Sequence, residues 1–410
     1  MLKKYKIKPY HSYYYYRHKR LKLIKIIIAV SIAVAIIGIF IGLNKDTVAT
    51  LIYKTQKAAE EMVNIEASLY IEPSDVSYSV YHEPEEIKAV YLPAGYMEEL
   101  DTLIDMAHTT EVNGFVVDVK DDKGYLTFDS PNPNLAHMVK SQPPIEDIKG
   151  LMDKLYANEI FPIARIVTFK DAVMAKEHPE RMVHTKDGEL FKTPQGETWL
   201  NPYNRENWPY LLEVCEEAIN VGFKEIQFDY IRFHESMKDS VCDFPEEETR
   251  TEVITAFIDY IYDHLHEKGV VVSADVFGTI ITSSIDANSV GQDYKELMKH
   301  LDYICPMIYP SHYAEGSFGI NHPDLAPYDL ILAVMQYSNN ITKEIPREER
   351  RAEVRPWLQD FTATWIEPHQ NYADEEVEEQ INAVYDALTN EWILWNAAGS
   401  YSIGGIGRTD

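Results

Sequence analysis

The stretch Glu225-Ile-Gln-Phe-Asp-Tyr-Ile-Arg-Phe233 is the strongest indication of the fold. Its branched and aromatic residues are typical of a strand buried on both faces, yet it carries a carboxylate, Asp229, and a guanidinium, Arg232. Unpaired buried charge is costly, so these side chains need a partner or a task. Chemistry in α/β barrels lies at the carboxyl ends of the parallel strands. The stretch therefore predicts a barrel enzyme, and the alternative is a structural Asp–Arg ion pair that caps the barrel.

Strand-like and helix-like patterns alternate from residue 86 to the end. Eight strands are predicted, and a helical pattern follows each of the first seven: Lys88–Leu92, Gly114–Lys120, Ile160–Thr168, Glu225–Phe233, Val270–Phe277, Leu301–Tyr309, Glu353–Phe361 and Trp392–Ala397. This order predicts an α/β fold, a (β/α)8 TIM barrel over residues 86–410. A doubly wound open sheet is the alternative, but no GxGxxG or GxxxxGK[ST] motif occurs. Only 13 residues follow the last strand, so we expect a helix of the preceding stalk to replace the eighth helix.

The amino-terminal region has the charge pattern of a membrane anchor. Its first 25 residues contain nine Lys or Arg and no acid, and Ile26–Leu43 is an uncharged run of 18 residues, long enough to span a bilayer. Since the basic flank stays cytoplasmic, we predict a cytoplasmic tail over residues 1–22, a transmembrane helix over 23–43 and an external stalk over 44–85. A cleaved signal peptide is the alternative, although its apolar core is normally shorter.

The rest of the chain is strongly acidic and poor in cysteine. Removing the nine amino-terminal cations from the 38 Lys and Arg leaves 29 against 66 Asp and Glu. This balance excludes nucleic acid as a partner, because nucleic-acid binding needs a cationic surface. Cys215, Cys242 and Cys305 form no CxxC pair, and three cysteines are too few for a disulfide scaffold, so we predict no structural disulfide.

Polar residues gather near the carboxyl ends of the predicted strands. Because these ends meet at one mouth of a barrel, we expect the side chains to converge there. We assign the catalytic roles to Asp229 and Asp275. Ten further residues are predicted to bind substrate: Asp118, Lys120, Arg165, Gln227, Arg232, Tyr309, His312, Asp360, Trp395 and Asn396.

Two carboxyl groups, one of them protonated, are the requirement of glycoside hydrolysis. We expect Arg232 to keep Asp229 ionised as nucleophile or charge stabiliser. The apolar neighbours of Asp275 are expected to raise its pKa, which suits a general acid/base, and Asp360 is the second candidate for that role. Asp118 is expected to pair with Lys120 or Arg165, or to bind a sugar hydroxyl. For each acid the alternative is an ion pair that holds the rim.

Other chemistries have weaker support in the sequence. No HxH or HExxH occurs for zinc, the Asp121-Asp122 pair lacks the ligand spacing of a Ca²⁺ or Mg²⁺ site, and GxSxG is absent, so we predict no metal and no cofactor. The longest connection, residues 169–204, is polar and aromatic. It is interpreted as a lid or a sugar-binding wall, with a plain insertion as the alternative.

Several of these segments together resemble one protein family. They are FVVDVKDDKGY (115–125), ARIV (164–167), WLNPY (199–203), EIQFDYIRF (225–233), MIYPSHY (307–313), RPWLQDF (355–361) and LWN (394–396). In this order they are similar to the bacterial "putative glycoside-hydrolase domain" family over about residues 86–400. The resemblance implies a TIM-barrel, glycosidase-like domain that is anchored or secreted. An Asp nucleophile on the fourth strand is also similar to the α-amylase and α-galactosidase barrels, by analogy of fold.

Two functions remain open from the sequence. The first is a single-pass membrane protein whose extracellular barrel hydrolyses a polysaccharide or oligosaccharide, with the lipid bilayer contacted through residues 23–43. The second is a carbohydrate-binding or cell-envelope scaffold protein that uses the same barrel without catalysis. The arrangement of the two carboxyl groups separates these alternatives.

Overall fold

The computed structural model describes residues 83–408, whose strands all run parallel in one sheet. The strands are β1 (Lys88–Leu92), β2 (Gly114–Lys120), β3 (Phe161–Val167), β4 (Glu225–Asp229), β5 (Val271–Phe277), β6 (Tyr303–Met307), β7 (Glu353–Val354), β8 (Trp357–Gln359) and β9 (Trp392–Trp395). Their starting points agree closely with the hydrophobic runs of the sequence.

The sheet closes on itself. Strands β1 to β6 pair in sequence order, β6 pairs with β7 and β8, and β9 pairs with both β8 and β1. The seventh predicted strand is divided into β7 and β8 at Arg355-Pro356, where proline has no N–H for the ladder. Nine segments thus fill eight positions of a ring. The predicted parallel barrel is confirmed, and the open sheet is excluded.

Helices cover the outside of this ring. The α-helices in the described part of the chain are Leu100–Ala107, Ile148–Ala157, Met174–Glu177, Asn207–Val221, Arg250–His266, Ser284–Val290, Tyr294–Leu297, Pro327–Glu344 and Asp374–Asp386. The helix after β4 begins with a capping box, in which the Thr249 hydroxyl accepts from the Glu252 N–H and the Glu252 carboxylate accepts from the Thr249 N–H. Within residues 83–408, every helix is too short or too polar to cross a bilayer.

A short carboxyl-terminal segment follows β9 where a regular barrel has its eighth helix. It contains one 3-10 turn, Ile403–Gly405, which contacts the start of the helix Asp374–Asp386. Gly405 is required there, because a Cβ atom would lie 2.2 Å from the carbonyl oxygen of Asp374. The stalk helix that we expected at this position lies outside the described residues, as do the predicted tail and anchor.

Strand β4 ends four residues earlier than the sequence suggested. Tyr230 follows Asp229 with φ of 50°, in the left-handed region, so the chain turns away from the ladder. Arg232 therefore lies in the loop after β4 rather than on the strand.

The barrel interior changes in character from one end to the other. At the amino ends of the strands, Arg355 bonds to Glu225 and Glu391 inside the ring. The middle is apolar and includes the free, buried Cys305. At the carboxyl ends, polar side chains and aromatic rings point into a common mouth.

Candidate active site

Arg165 is the centre of a buried ion cluster at the mouth. Its Nε and Nη2 atoms donate to Oδ2 of Asp229 at 2.9 and 2.5 Å, and its Nη1 atom donates to Oδ1 of Asp118 at 2.7 Å. The three residues come from the adjacent strands β2, β3 and β4, so the register of the sheet brings them together. Although burial opposes the charge, Asp229 and Asp118 hold the pKa of Arg165 above its usual range.

Asp118 has a second partner on the other side. The Tyr91 hydroxyl donates to Oδ2 of Asp118 at 2.6 Å, and burial raises the pKa of that carboxyl despite the Arg165 charge. The predicted pairing of Asp118 with Arg165 is confirmed, and Lys120 is not its partner. Tyr91, Asp118, Arg165 and Asp229 therefore form one continuous polar chain across four neighbouring strands.

Asp275 lies beside this chain in a drier environment. The residue is 2% exposed, and its Oδ1 atom accepts from Gln227 Nε2 at 2.8 Å and from Trp357 Nε1 at 2.6 Å. Burial, followed by the charge of Asp229, raises the pKa of Asp275 well above its usual range, although both donors act in the opposite direction. This carboxyl consequently keeps its proton to a higher pH than an exposed aspartate.

The predicted pairing of Asp229 with Arg232 is wrong. Arg232 Nη1 instead bonds to Glu235 at 3.3 Å and to the carbonyl oxygen of Phe233 at 3.1 Å. Its guanidinium lies 4.2 Å from the ring centroid of Phe277. The early end of β4 explains this, because the left-handed turn carries Arg232 away from Asp229.

Lys120 has no exposed surface. Its ammonium donates to the carbonyl oxygen of Val167 at 2.7 Å and pairs with Asp171 Oδ2 at 3.0 Å. These contacts tie the end of β2 to the loop after β3, which favours a structural role over the predicted contact with substrate. Gln227 is equally buried and is directed towards Asp275, so it acts on the carboxyl rather than on the solvent side of the mouth.

Aromatic rings surround the two carboxyl groups. Trp395 stacks on Tyr91 at 4.2 Å between centroids and meets Trp357 edge-on at 5.5 Å. Tyr309 meets Phe361 edge-on at 5.7 Å. Burial and the charges of Asp275 and Asp229 raise the pKa of Tyr309 well above its usual range, which places its hydroxyl in the electrostatic field of both acids.

Three other predicted residues lie further from the carboxyl pair. Asp360 accepts from the backbone N–H and the hydroxyl of Ser402, both at 2.8 Å, and Asn396 donates to the carbonyl oxygen of Asp360 at 2.6 Å. Burial raises the pKa of Asp360 to about 6. These contacts hold the carboxyl-terminal segment. His312 is exposed at the rim and bonds through Nδ1 to the Ser311 hydroxyl at 3.0 Å.

A comparison with known families identifies the barrel. A family model described as "Putative glycosyl hydrolase domain" matches residues 89–401. The chain belongs to this family. No curated protein matches the sequence of this chain.

Two solved structures are similar to parts of this chain. A hypothetical protein from Ruminiclostridium thermocellum ATCC 27405 is 37% identical, over 46% of this chain and 97% of that chain, with a TM-score of 0.42. The PgaB (BpsB) glycoside hydrolase domain from Bordetella bronchiseptica is 13% identical, over 77% of this chain and 95% of that one, with a TM-score of 0.55. At that level of identity the second likeness is one of fold.

The long connection, residues 169–204, is packed against the loop after β4. Trp199 is fully buried, and its indole donates to the carbonyl oxygen of Arg232 at 2.8 Å. Trp199 therefore presents no surface to a ligand, and the interpretation of this connection as a lid or a sugar-binding wall stays a prediction. Between residues 83 and 408, no group of three or more His, Cys, Asp or Glu side chains is arranged to hold a metal ion.

Sequence reasoning missed two aromatic residues of the site. Tyr91 and Trp357 carry no charge that would mark them as functional at a strand end, although both follow the inward alternation of their strands.

Proposed function

We propose that this protein is a glycoside hydrolase that cleaves a polysaccharide, with Asp229 and Asp275 as its two carboxyl groups. The family membership and the barrel fold support this reaction class. One observation supports the choice of residues: the two acids lie on the adjacent strands β4 and β5 in contrasting surroundings, with Asp229 bonded to the Arg165 cation and Asp275 bonded to the neutral donors of Gln227 and Trp357. Such a contrast is what separates the two roles in glycosidases.

Asp229 has the surroundings of a carboxylate. Two N–H groups of Arg165 bond to its Oδ2 atom, and the N–H of Tyr230 bonds to Oδ1 at 2.6 Å. All of these hydrogen bonds are accepted by the carboxyl group, from a cation and from a backbone N–H. A carboxylate in such surroundings is suited to stabilise the positive charge that develops on the sugar ring. In this proposal Asp229 is the nucleophile or the charge stabiliser.

Asp275 has the surroundings of a general acid. Its raised pKa keeps a proton available for the glycosidic oxygen as the bond to the anomeric carbon breaks. Arg165 then holds Asp229 in position, while Tyr309 and Trp395 contact the sugar. Water completes the hydrolysis, with Asp275 taking back a proton.

A second function is favoured by the burial of the same groups. Asp275 is 2% exposed, and both oxygens of Asp229 are already bonded to protein. An acid enclosed in this way is also expected in a carbohydrate-binding or envelope-scaffold protein, where the carboxyl groups only hold the barrel rim.

The amino-terminal sequence also supports a membrane topology for this protein. The nine cations of the first 25 residues and the apolar run Ile26–Leu43 support a single-pass anchor over residues 23–43. The amino terminus is then cytoplasmic, and the barrel faces a polysaccharide outside the membrane. A protease that digests the barrel in intact protoplasts, leaving an anchored fragment, is the expected result; full protection would contradict this orientation.

The enzymatic test uses the full-length protein in detergent and a panel of envelope and capsule polysaccharides. Asp229→Asn and Asp275→Asn are each expected to lower turnover at least a hundredfold. Asp101→Asn is the matched control, because Asp101 is an exposed acid outside the mouth.

The outcomes separate the two functions. Lost turnover with retained glycan binding supports catalysis by the carboxyl pair. Binding without turnover in the unchanged protein, across the whole panel, supports the scaffold function. Equal turnover of Asp229→Asn and the unchanged protein removes Asp229 from the mechanism.

A further inference from the structure

Trp365 is an exposed tryptophan next to the mouth. It lies in the loop between β8 and the helix Asp374–Asp386 and is 65% exposed. A single exposed apolar side chain is common on protein surfaces and needs no explanation by itself. Trp365 differs from other exposed residues in two respects: it lies beside the mouth, and hydrogen bonds hold the loop that carries it.

A line of aromatic contacts joins Trp365 to the carboxyl pair. Trp365 stacks on Phe361 at 6.0 Å with 20° between the ring planes, and Phe361 meets Tyr309 at 5.7 Å. Tyr309 in turn belongs to the same buried cluster as Trp357, whose indole donates to Asp275. Two ring-to-ring contacts therefore lead outwards from the reacting groups to Trp365.

The loop that carries Trp365 is firmly held. Asp324, which is buried, accepts from the N–H of Gln370 at 3.2 Å through Oδ2 and from Gln359 Nε2 at 3.3 Å through Oδ1. Its carbonyl oxygen also accepts from the Tyr372 hydroxyl at 3.1 Å. Because these contacts already restrict the loop, the loop loses little conformational entropy when a ligand binds. The indole of Trp365 is therefore preorganised for binding.

We infer that Trp365, backed by Phe361, is the stacking surface of an outer sugar subsite. The inference deepens the proposed function and rests on it. An indole face presented to water gains free energy when the C–H face of a pyranose covers it, because apolar area leaves water on both sides. The ligand class is an uncharged pyranose chain of several units, one end of which extends from the mouth over Trp365.

The ring spacing determines which ligands Trp365 contacts. Trp365 lies two ring contacts beyond Tyr309, with centroid distances of 5.7 and 6.0 Å, so we expect a disaccharide at the carboxyl pair to end short of it and a longer chain to reach it. Trp365 is therefore a residue for affinity and chain-length preference, not a catalytic residue. Its removal should raise KM for long chains and leave kcat unchanged.

The test measures binding, so it does not depend on turnover. Full-length Asp275→Asn protein is titrated by calorimetry with β-1,4-linked hexasaccharides and disaccharides of N-acetylglucosamine, glucose and galactose. Adding Trp365→Ala is expected to weaken hexasaccharide binding roughly tenfold, which is about 1.4 kcal/mol, with no change for the disaccharide. Trp365→Phe should restore most of the affinity.

Tyr337→Ala provides the matched control, because Tyr337 is 52% exposed but lies on the helix Pro327–Glu344. Equal hexasaccharide affinity with and without Trp365 overturns the subsite while leaving the proposed function intact. If the parent protein binds no sugar of the panel, the substrate class named here is overturned together with the subsite. Sugar binding without turnover leaves the subsite standing and refutes only catalysis.

Discussion

The indole Nε1 of Trp357 donates to Oδ1 of Asp275 at 2.6 Å and so links β8 to β5 through the barrel interior. Gln227 donates to the same oxygen at 2.8 Å. Both bonds favour the ionised carboxylate, whereas burial and the charge of Asp229 favour the protonated acid. The pKa of Asp275 thus depends on groups that act in opposite directions, and each side chain can be replaced separately.

Trp357→Phe tests this balance. It removes one donor to the carboxylate and keeps an aromatic ring, so the pKa of Asp275 should rise further. The alkaline limb of kcat/KM against pH is expected to move upwards by the same amount. Trp392→Phe is the control, since its indole bonds to Tyr385 instead. An unmoved alkaline limb in Trp357→Phe would exclude Asp275 as the general acid.

Arg165→Met should destabilise the fold. The substitution leaves Asp118 and Asp229 buried without their cation, which is expected to cost about 3–5 kcal/mol in the free energy of unfolding. The loss should be smaller at acid pH, because burial raises the pKa of Asp118 and a protonated carboxyl needs no cation. Denaturant unfolding at pH 7 and pH 4 measures it.

The matched control for Arg165 is an exposed ion pair. Lys154→Met breaks the contact between Lys154 and Asp101, two side chains that are largely in solvent. It should change the free energy of unfolding by less than about 1 kcal/mol. Similar losses in Arg165→Met and Lys154→Met would show that the cluster at the mouth contributes nothing beyond a surface pair.

The sequence predicted the ring, the convergence of its acids and the Asp118–Arg165 pair, but it paired Asp229 with the wrong cation. Strand periodicity is a local property, so the positions of β1 to β6 and β9 could be derived from the chain alone. Arg232 was chosen for Asp229 because it is three residues away. The partner is Arg165, on the adjacent strand, and only the register of β3 against β4 makes them neighbours.

Aromatic residues show a second limit of sequence reasoning. Trp199 and Trp365 both lie in polar loops, and nothing in their local sequence separates them. Trp199 is buried by the loop after β4, whereas Trp365 stands in solvent beside the mouth. Such differences come from tertiary contacts between loops, which no periodic pattern encodes.

Asp360→Asn should change the pH dependence of stability. The pKa of Asp360 is about 6 in the folded protein against 3.8 for the free side chain, so the folded state holds more protons between these values. The contribution of protonated Asp360 to the free energy of unfolding is therefore complete below about pH 4 and is lost as the pH rises through 6. Asn resembles the protonated acid and should stabilise the protein by about 3 kcal/mol at pH 7–8, with no gain at pH 4.

Thermal unfolding from pH 4 to pH 8 measures this effect. Asp105→Asn, at an exposed position on the helix Leu100–Ala107, should give a small change that is equal across the range. A gain for Asp360→Asn that is the same at pH 4 and pH 8 would mean that burial does not raise the pKa of Asp360.

The cluster at the opposite end of the barrel should affect stability without affecting the mouth. Arg355 Nη1 lies 2.9 Å from both oxygens of Glu225, and neither side chain is exposed. Arg355→Met leaves the buried Glu225 carboxylate without its cation, bonded only to the Ser273 hydroxyl, and is expected to cost about 3–5 kcal/mol, whereas adding Glu225→Gln should recover part of that loss. Denaturant unfolding of both variants gives the coupling energy, and glycan affinity should stay unchanged in each. If the double variant is less stable than Arg355→Met, the cost lies in packing against Tyr303 rather than in the uncompensated charge, because Arg355 also covers that ring at 3.8 Å.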